Sequence, residues 1–270
     1  MRSQSVSVAG TTLHVDDTGE SDLTPVLGLH SLFLDNRMFE DLVEAGRGRF
    51  RFILPEYRGQ ARSAAGDRDT LTMEQAAGDM AALMDKLGIA SAHVVASSMG
   101  GDVGARLAAF RPDLVRSIVF LGSSVRREPP EAVSEYVAWT NDVGENGFTG
   151  ERLDMLVRVM LGESTRNDPA KKDMVALWTE RLAALPRSLK PAMLGVMLRH
   201  DAVELLGDIA APALVISGDE CWVRPPEWAT ELANGLPNSE LVMLPRVGHS
   251  PLLEAPEVVI PRVLEFFDAH

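Results

Sequence analysis

Short apolar runs alternate with segments of helical periodicity along most of the chain. This alternation is typical of a mostly parallel sheet that helices cover on both faces, because the strands of such a sheet are buried on both sides. The first two predicted strands form an edge hairpin that turns at Ala9 and Gly10. The predicted strands are residues 5–8, 12–16, 25–30, 50–55, 92–96, 117–121, 213–217 and 239–244. The predicted helices between them are residues 73–87, 99–110, 227–234 and 258–269. We therefore expect an α/β fold with an eight-stranded sheet and flanking helices.

The interval between residues 123 and 211 differs from the rest, because it holds no convincing strand. We predict a helical cap at 124–210, inserted after the sixth strand, and a core formed by 1–123 and 211–270. The cap is rich in methionine and aromatic residues, which are typical of an adaptable apolar pocket. Its predicted helices are residues 131–143, 151–161, 168–185 and 189–198.

Composition narrows the class of protein. The 270 residues are 46% apolar, enough for one large buried core. A net charge of −13 disfavours nucleic acid and anionic lipid as partners. Residues 1–10 lack the apolar core of a signal peptide, and no stretch approaches the ~20 apolar residues of a membrane span. The single cysteine, Cys221, excludes an intrachain disulfide. We expect a soluble cytoplasmic protein, either a monomer or a homodimer.

A serine lies where a predicted strand meets a predicted helix, in the run VVASSMGG at residues 94–101. The run resembles the G-x-S-x-G nucleophile elbow, in which a serine occupies a sharp, strained turn. Residues two before and two after that serine must be small because they press together, and Ala96 and Gly100 meet this condition around Ser98. Ser97 does not meet it, because bulky residues would flank the turn. Ser98 is therefore the candidate nucleophile, and its alternative role is to cap the helix.

A histidine follows the last predicted strand, in the run VGHSPLLEAPE at residues 247–257. A histidine in this loop can reach over the end of the sheet to Ser98 and take its proton. The run resembles the C-terminal signature of the α/β-hydrolase family, which carries a histidine at this place. His249 is therefore the candidate general base.

Two further segments extend the resemblance over essentially the whole chain. The run HSLFLDNRMF at residues 30–39 is similar to the family's loop after the third strand, and the run PEYRGQARS at residues 55–63 is similar to a structural turn. The resemblance implies an oxyanion hole formed by the backbone N–H groups of Leu32 and Met99, and a structural role for His30.

The family's third catalytic residue is a carboxylate after the strand before last, and here the alignment of the run LVISGDECWVRPPE places Cys221 there. Four interpretations are open. Cys221 can orient the histidine, and a neighbouring imidazolium would favour its thiolate. Asp219 or Glu220 can turn inward instead. The acid can lie after the sixth strand, although no carboxylate precedes Glu128 there. Finally, the chemistry can need no third residue, because it is not ordinary ester hydrolysis.

These residues lead to the hypothesis of a serine hydrolase that cleaves an ester, lactone or thioester of a small-to-medium apolar substrate through an acyl-enzyme. Ser98, His249 and Cys221 would be the catalytic residues. The histidines are scattered without the spacing of metal ligands, so we expect neither a metal nor a cofactor. The expected partner is a small-molecule substrate, and the candidate pocket residues are Phe33, Trp139, Met155 and Trp222.

Two rival functions use the same residues. Ser98 and His249 could drive an elimination or an acyl transfer on a biosynthetic, natural-product intermediate, and the cysteine at position 221 favours this alternative. The pocket could also belong to a ligand-binding receptor, although the intact Ser98 and His249 argue against it. The fold alone does not separate these functions.

Overall fold

The computed structural model describes residues 1–8, 10–65 and 69–270. Its strands are β1 (Arg2–Val8), β2 (Thr11–Asp17), β3 (Thr24–Leu29), β4 (Phe50–Pro55), β5 (Ala92–Ser97), β6 (Val115–Leu121), β7 (Ala213–Gly218) and β8 (Ser239–Leu244). They form one sheet in the order β1-β2-β4-β3-β5-β6-β7-β8. The pairs β1–β2 and β2–β4 are antiparallel, and the remaining pairs are parallel. The predicted sheet is confirmed. Ala9, on which the predicted hairpin turn falls, lies outside the described residues.

Burial on both faces explains why the central strands read as continuous apolar runs. Every residue of β5 and of β7 is buried, as expected for parallel strands covered by helices. The edge strand β1 is mostly exposed, and only Val6 and Val8 are buried. The prediction started this strand at residue 5, because the residues before it show no apolar alternation. They nevertheless pair with β2 through the backbone.

Helices cover the sheet. They are α1 (Glu40–Ala45), α2 (Met73–Leu87), α3 (Met99–Phe110), α4 (Pro130–Asn146), α5 (Glu151–Met160), α6 (Glu163–Asn167), α7 (Lys172–Ala183), α8 (Lys190–Met197), α9 (Pro226–Gly235), α10 (Pro251–Glu254) and α11 (Pro256–Ala269). The sequence did not predict α1, α6 and α10, because helices this short show no clear period. Within the described ranges, no helix is both long and apolar enough to cross a lipid bilayer.

The chain between β6 and β7 forms α4 to α8 and short 3-10 turns, and the structure describes all of it. We call residues 124–210 the helical segment. The helix predicted at 168–185 is divided, because Pro169 starts a separate 3-10 turn (Pro169–Lys171) before α7 begins. The Asp168 side chain caps that turn by accepting a hydrogen bond from the backbone N–H of Ala170 at 2.9 Å.

The candidate site lies at one edge of the sheet. The carboxyl ends of parallel strands meet at the same edge, which is where open α/β sheets bind their ligands. Ser31 and Leu32 follow β3, Ser98 follows β5, Cys221 follows β7, and His249 follows β8. The parallel arrangement of the strands therefore brings residues that are far apart in the sequence to the same edge of the sheet.

Candidate active site

Ser98 lies at the sharp turn between β5 and α3. Its backbone has φ 52° and ψ −112°, a conformation that residues other than glycine rarely adopt. Two hydrogen bonds stabilise the turn: Ser98 N–H donates to the carbonyl of Leu121 at 3.0 Å, and Gly101 N–H donates to the carbonyl of Ser98 at 2.9 Å. The surrounding structure thus holds a strained residue in place, as is typical of functional sites.

Neighbouring elements explain why small residues are found two positions before and two positions after Ser98. A Cβ atom on Gly100 would overlap the carbonyl oxygen of Leu29 in β3. Ala96 can replace the glycine of the motif because its methyl group faces Gly104, where an added Cβ would lie 3.4 Å away. The tightest constraint at Gly100 therefore comes from Leu29 in β3, and the prediction that Ala96 and Gly100 press on each other stays a prediction.

Gly100→Ala is expected to destabilise the protein by about 1–3 kcal/mol, because the added methyl group must displace the backbone of β3. Urea unfolding followed by circular dichroism measures this change. Gly78→Ala is the matched control, since a Cβ at Gly78 in α2 meets nothing within 4 Å and alanine favours a helix interior. A Gly100→Ala protein as stable as the wild type would contradict the predicted overlap.

His249 and Ser98 form a buried hydrogen-bonded pair. The Nε2 atom of His249 lies 2.8 Å from the Oγ atom of Ser98. Burial is the main cause that lowers the pKa of His249 to about 3, and the positive charge of Arg224 adds to the lowering. The imidazole is therefore neutral at physiological pH, which is the form in which Nε2 accepts a proton.

The loop that carries His249 is fixed by a fully buried carboxylate, Glu254. It accepts hydrogen bonds from the backbone N–H groups of Gly248 at 3.0 Å and Ser250 at 2.9 Å, one on each side of the histidine. It also accepts one from the backbone N–H of Gly162, in the helical segment, at 2.8 Å. The position of the imidazole is thus tied both to α10 and to the helical segment.

Cys221 occupies the place where the sequence pattern expects a carboxylate. Its Sγ atom lies 3.2 Å from Nδ1 of His249. Burial raises the pKa of Cys221 to about 12, and the backbone N–H groups of Arg224 and Val223 oppose this only in part, so the thiol stays neutral. When Nε2 accepts the Ser98 proton, Nδ1 carries the ring hydrogen and donates it to sulfur, a weak acceptor. Cys221 can orient the ring but offers little charge to an imidazolium.

The carboxylates considered as alternatives point elsewhere. Asp219 accepts a hydrogen bond from the backbone N–H of Arg246 at 2.7 Å. Glu220 accepts one from the backbone N–H of Ser164 at 2.8 Å. Across residues 1–8, 10–65 and 69–270, the sulfur of Cys221 is the hydrogen-bond partner of Nδ1, and no carboxylate bonds to it.

The two residues assigned to an oxyanion hole are one residue of the cavity wall and the residue that follows Ser98 in the chain. Leu32 lines the same cavity as Ser98, and Met99 is the first residue of α3. Within the described chain, neither backbone N–H donates to a protein acceptor, and the positive end of a helix dipole favours an anion near Met99. The Oγ of Ser31, also in the cavity wall, is buried without a hydrogen-bond partner among the described residues.

A cavity of about 350 Å³ contains Ser98 and His249. Its wall includes all four residues predicted to line a pocket, Phe33, Trp139, Met155 and Trp222. Phe33 and Trp139 meet edge-to-face, with ring centroids 6.1 Å apart. Met155 and Trp222 are 44% and 54% exposed and so stand at the outer side of the wall. Further apolar residues of α4, α5 and α8 complete a mainly apolar lining, Ala132, Tyr136, Val159, Met160, Val196 and Met197.

Sequence reasoning did not assign the three charged residues of the wall to the site, Glu128, Glu135 and Arg224. The Nη2 atom of Arg224 lies 2.9 Å from Oε1 of Glu128, and Nη1 of Arg199 donates to the same oxygen at 2.6 Å. The sequence feature that could have indicated Arg224 as a wall residue is its position three residues after Cys221, in the same loop. Glu128 had no signal as a wall residue, because its position depends on how the helical segment folds back.

Comparisons with known proteins agree with this fold. A family model described as alpha/beta hydrolase fold matches residues 24–256. A provisionally named carbamate hydrolase from Caulobacter sp. (strain K31) is 27% identical over 271 residues, which cover 99% of this chain and 99% of that protein. A thermophilic esterase from Thermogutta terrifontis superposes with a TM-score of 0.89 at 28% identity, covering 100% of this chain and 99% of that one. An enol-lactonase from Burkholderia xenovorans LB400 shares the fold, with a TM-score of 0.88 at 24% identity over 98% of this chain and 100% of that one.

Proposed function

The chain belongs to the alpha/beta hydrolase family and is a hydrolase enzyme, and we propose that it cleaves a carboxylic ester, lactone or thioester through an acyl-enzyme on Ser98. The observation that carries this proposal is the 2.8 Å contact between Ser98 Oγ and a neutral imidazole nitrogen of His249. The mainly apolar cavity around the pair suits a small-to-medium apolar substrate. The similarity to an esterase and to an enol-lactonase supports the same class of substrate.

In the first half of the reaction, Ser98 Oγ attacks the carbonyl carbon of the substrate while its proton moves to Nε2 of His249. The carbonyl oxygen becomes an oxyanion and accepts hydrogen bonds from the backbone N–H groups of Leu32 and Met99. Each such donor contributes roughly 3–4 kcal/mol to lowering the barrier. The bond to the leaving oxygen or sulfur then breaks, and Nε2 returns the proton to the leaving group.

In the second half, water replaces the leaving group. His249 Nε2 takes a proton from the water as its oxygen attacks the acyl carbon, and a second oxyanion forms in the same place. Its collapse breaks the bond to Ser98 Oγ, which recovers the proton from Nε2. The products are a carboxylic acid with one solvent oxygen and the free enzyme.

The second candidate function is an elimination or acyl transfer driven by the same pair. The observation that favours it is the neutral thiol at Nδ1 of His249, because a serine hydrolase ordinarily uses a carboxylate there to stabilise the imidazolium. Turnover in oxygen-18 water separates the candidates. Hydrolysis places one labelled oxygen in the released acid, whereas elimination and transfer to another acceptor do not.

A fluorophosphonate probe tests the nucleophile directly. We expect stoichiometric labelling of the wild type, because His249 activates the Ser98 hydroxyl, and no labelling of Ser98→Ala. Intact-protein mass spectrometry measures the mass added, and peptide mapping identifies the residue. Ser97→Ala is the matched control and should label like the wild type. A wild-type protein that stays unlabelled would overturn the acyl-enzyme proposal and favour a ligand-binding role.

A further inference from the structure

We infer that the substrate of this enzyme carries a carboxylate group, which Arg224 binds in the wall of the cavity. The inference rests on the proposed function, because it names the class of ester that Ser98 and His249 would cleave. Two observations carry it: a nearly buried guanidinium in the same cavity as the reacting side chains, and the arrangement of charges behind it.

Arg224 brings a positive charge into a mainly apolar cavity. Its side chain is 10% exposed and lies in the wall that also contains Ser98 and His249. A guanidinium has five N–H donors. Here Nη1 donates to the carbonyl of Val223 at 2.7 Å, and Nη2 faces Glu128 at 2.9 Å. In the part of the chain that the structure describes, these are the polar partners of the guanidinium, so N–H groups remain for a ligand.

A row of alternating charges leads from the protein surface to this arginine. Its members, each in contact with the next, are Glu74, Arg106, Asp102, Arg199, Glu128 and Arg224. The outermost side chain, that of Glu74, is 45% exposed, so solvent screens its charge. The members behind it are buried and comprise three guanidinium groups and two carboxylates. The buried part of the row therefore has an excess of positive charge, and its inner end is the cavity.

The carboxylates in the cavity wall do not balance Arg224. Glu128 remains ionised, because the charges of Arg224 and Arg199 lower its pKa although burial raises it. It shares one oxygen between those two arginines, so a single negative charge serves two cations. Glu135 is exposed on α4, where water screens it. A ligand carboxylate would supply the missing charge through short, charge-assisted hydrogen bonds, for which the planar guanidinium is well suited.

A carboxylate at Arg224 would also act on His249. The positive charge of Arg224 opposes protonation of the imidazole, and a bound anion offsets that charge. The imidazolium that forms when Ser98 attacks the ester is then easier to make. The substrate would in this way supply part of the negative charge that the neutral Cys221 lacks. The effect of the carboxylate should therefore appear in kcat as well as in KM.

The test uses four esters and the purified full-length protein. The anionic esters are the para-nitrophenyl monoesters of glutaric and adipic acid. Their neutral partners are para-nitrophenyl pentanoate and hexanoate, in which a methyl group replaces the carboxylate. We expect the wild type to show a higher kcat/KM for each anionic ester than for its partner. Arg224→Gln should lower the ratio of anionic to neutral kcat/KM by about 10- to 100-fold, and Arg224→Lys, which keeps the charge, should recover part of it.

Arg126→Gln is the matched control. Arg126 also lies over the ring of Trp228, at 5.8 Å compared with 5.6 Å for Arg224, but it is not part of the cavity wall. Arg126→Gln should therefore keep the wild-type ratio of anionic to neutral kcat/KM. Fluorophosphonate labelling counts the folded sites of each variant, so a protein that neither labels nor turns over any ester contradicts the proposed function itself. A labelled wild type that prefers the neutral esters, or a ratio unchanged in Arg224→Gln, would overturn the carboxylate inference alone.

Discussion

Replacement of Ser98 by alanine is expected to lower kcat for ester cleavage by about 10²- to 10³-fold, well short of the roughly 10⁶-fold loss that follows removal of the nucleophile from a complete triad. The smaller figure follows from Cys221. In a complete triad the acid alone accounts for about 10⁴ of the total, and burial keeps the Cys221 thiol neutral by raising its pKa to about 12. The Ser98–His249 pair therefore works without a negative charge beside Nδ1. Saturation kinetics with para-nitrophenyl butyrate measure the change.

The size of the loss is the informative quantity in this experiment. Ser97→Ala is the control, because Ser97 is buried beside the nucleophile but lies in β5 and not at the turn. A loss near 10⁶-fold would show that Cys221 replaces a carboxylate in full, contrary to a neutral thiol. No loss at all would exclude Ser98 as the nucleophile.

Cys221→Asp is expected to raise kcat for neutral esters by about 10- to 100-fold, because an ionised carboxylate at Nδ1 stabilises the imidazolium. The same charge raises the pKa of His249 from its value of about 3. A general base is lost when it becomes protonated, so activity falls as the pH drops through this pKa. The acid limb of kcat/KM should therefore move to higher pH in Cys221→Asp. A pH profile of both proteins measures the shift.

Cys221→Asn separates charge from size in this comparison. Asparagine is nearly isosteric with aspartate but carries no charge, so it should give neither the gain in kcat nor the shift of the acid limb. Ser98→Ala should lower kcat by a larger factor in the Cys221→Asp background than in the wild type. The reason is that Ser98 and the new aspartate then act as one unit. Equal kcat values for the Asp and Asn variants would contradict the argument that the missing charge limits the reaction.

The sequence predicts the sheet well because its central strands are buried on both sides, so that apolar runs such as 92–96 and 213–217 stand out. It predicts the ends of elements less well. Arg2 to Gln4 pair with β2 through backbone hydrogen bonds that leave no apolar pattern, and α6 is too short to show a helical period. The division of the helix predicted at 168–185 depends on one residue, Pro169.

The predicted members of the site came from motifs in which local sequence and local geometry coincide. Ser98 needs the turn that its small neighbours permit, and the spacing from Gly218 placed Cys221 where the structure puts its sulfur, 3.2 Å from His249. Arg224 and Glu128 show the limit of this approach. Glu128 contacts both Arg224 and Arg199, which lie far from it in the sequence. The direction of a side chain in a loop also leaves no periodic pattern in the sequence.

The loop of His249 also constrains how substrates enter. Glu254 joins this loop to Gly162, and Ser250 Oγ donates to the carbonyl of Met160 at 2.7 Å, so one bond from α10 and one from the histidine loop reach the helical segment. A swing of that segment away from the sheet would break both bonds and displace the base it leaves behind. Entry and product release are therefore easier through rotation of an exposed side chain of the wall. Met155 is 44% exposed and suits this role, whereas Trp222 is held to the helical segment by a hydrogen bond from its Nε1 to the carbonyl of Arg158 at 3.1 Å.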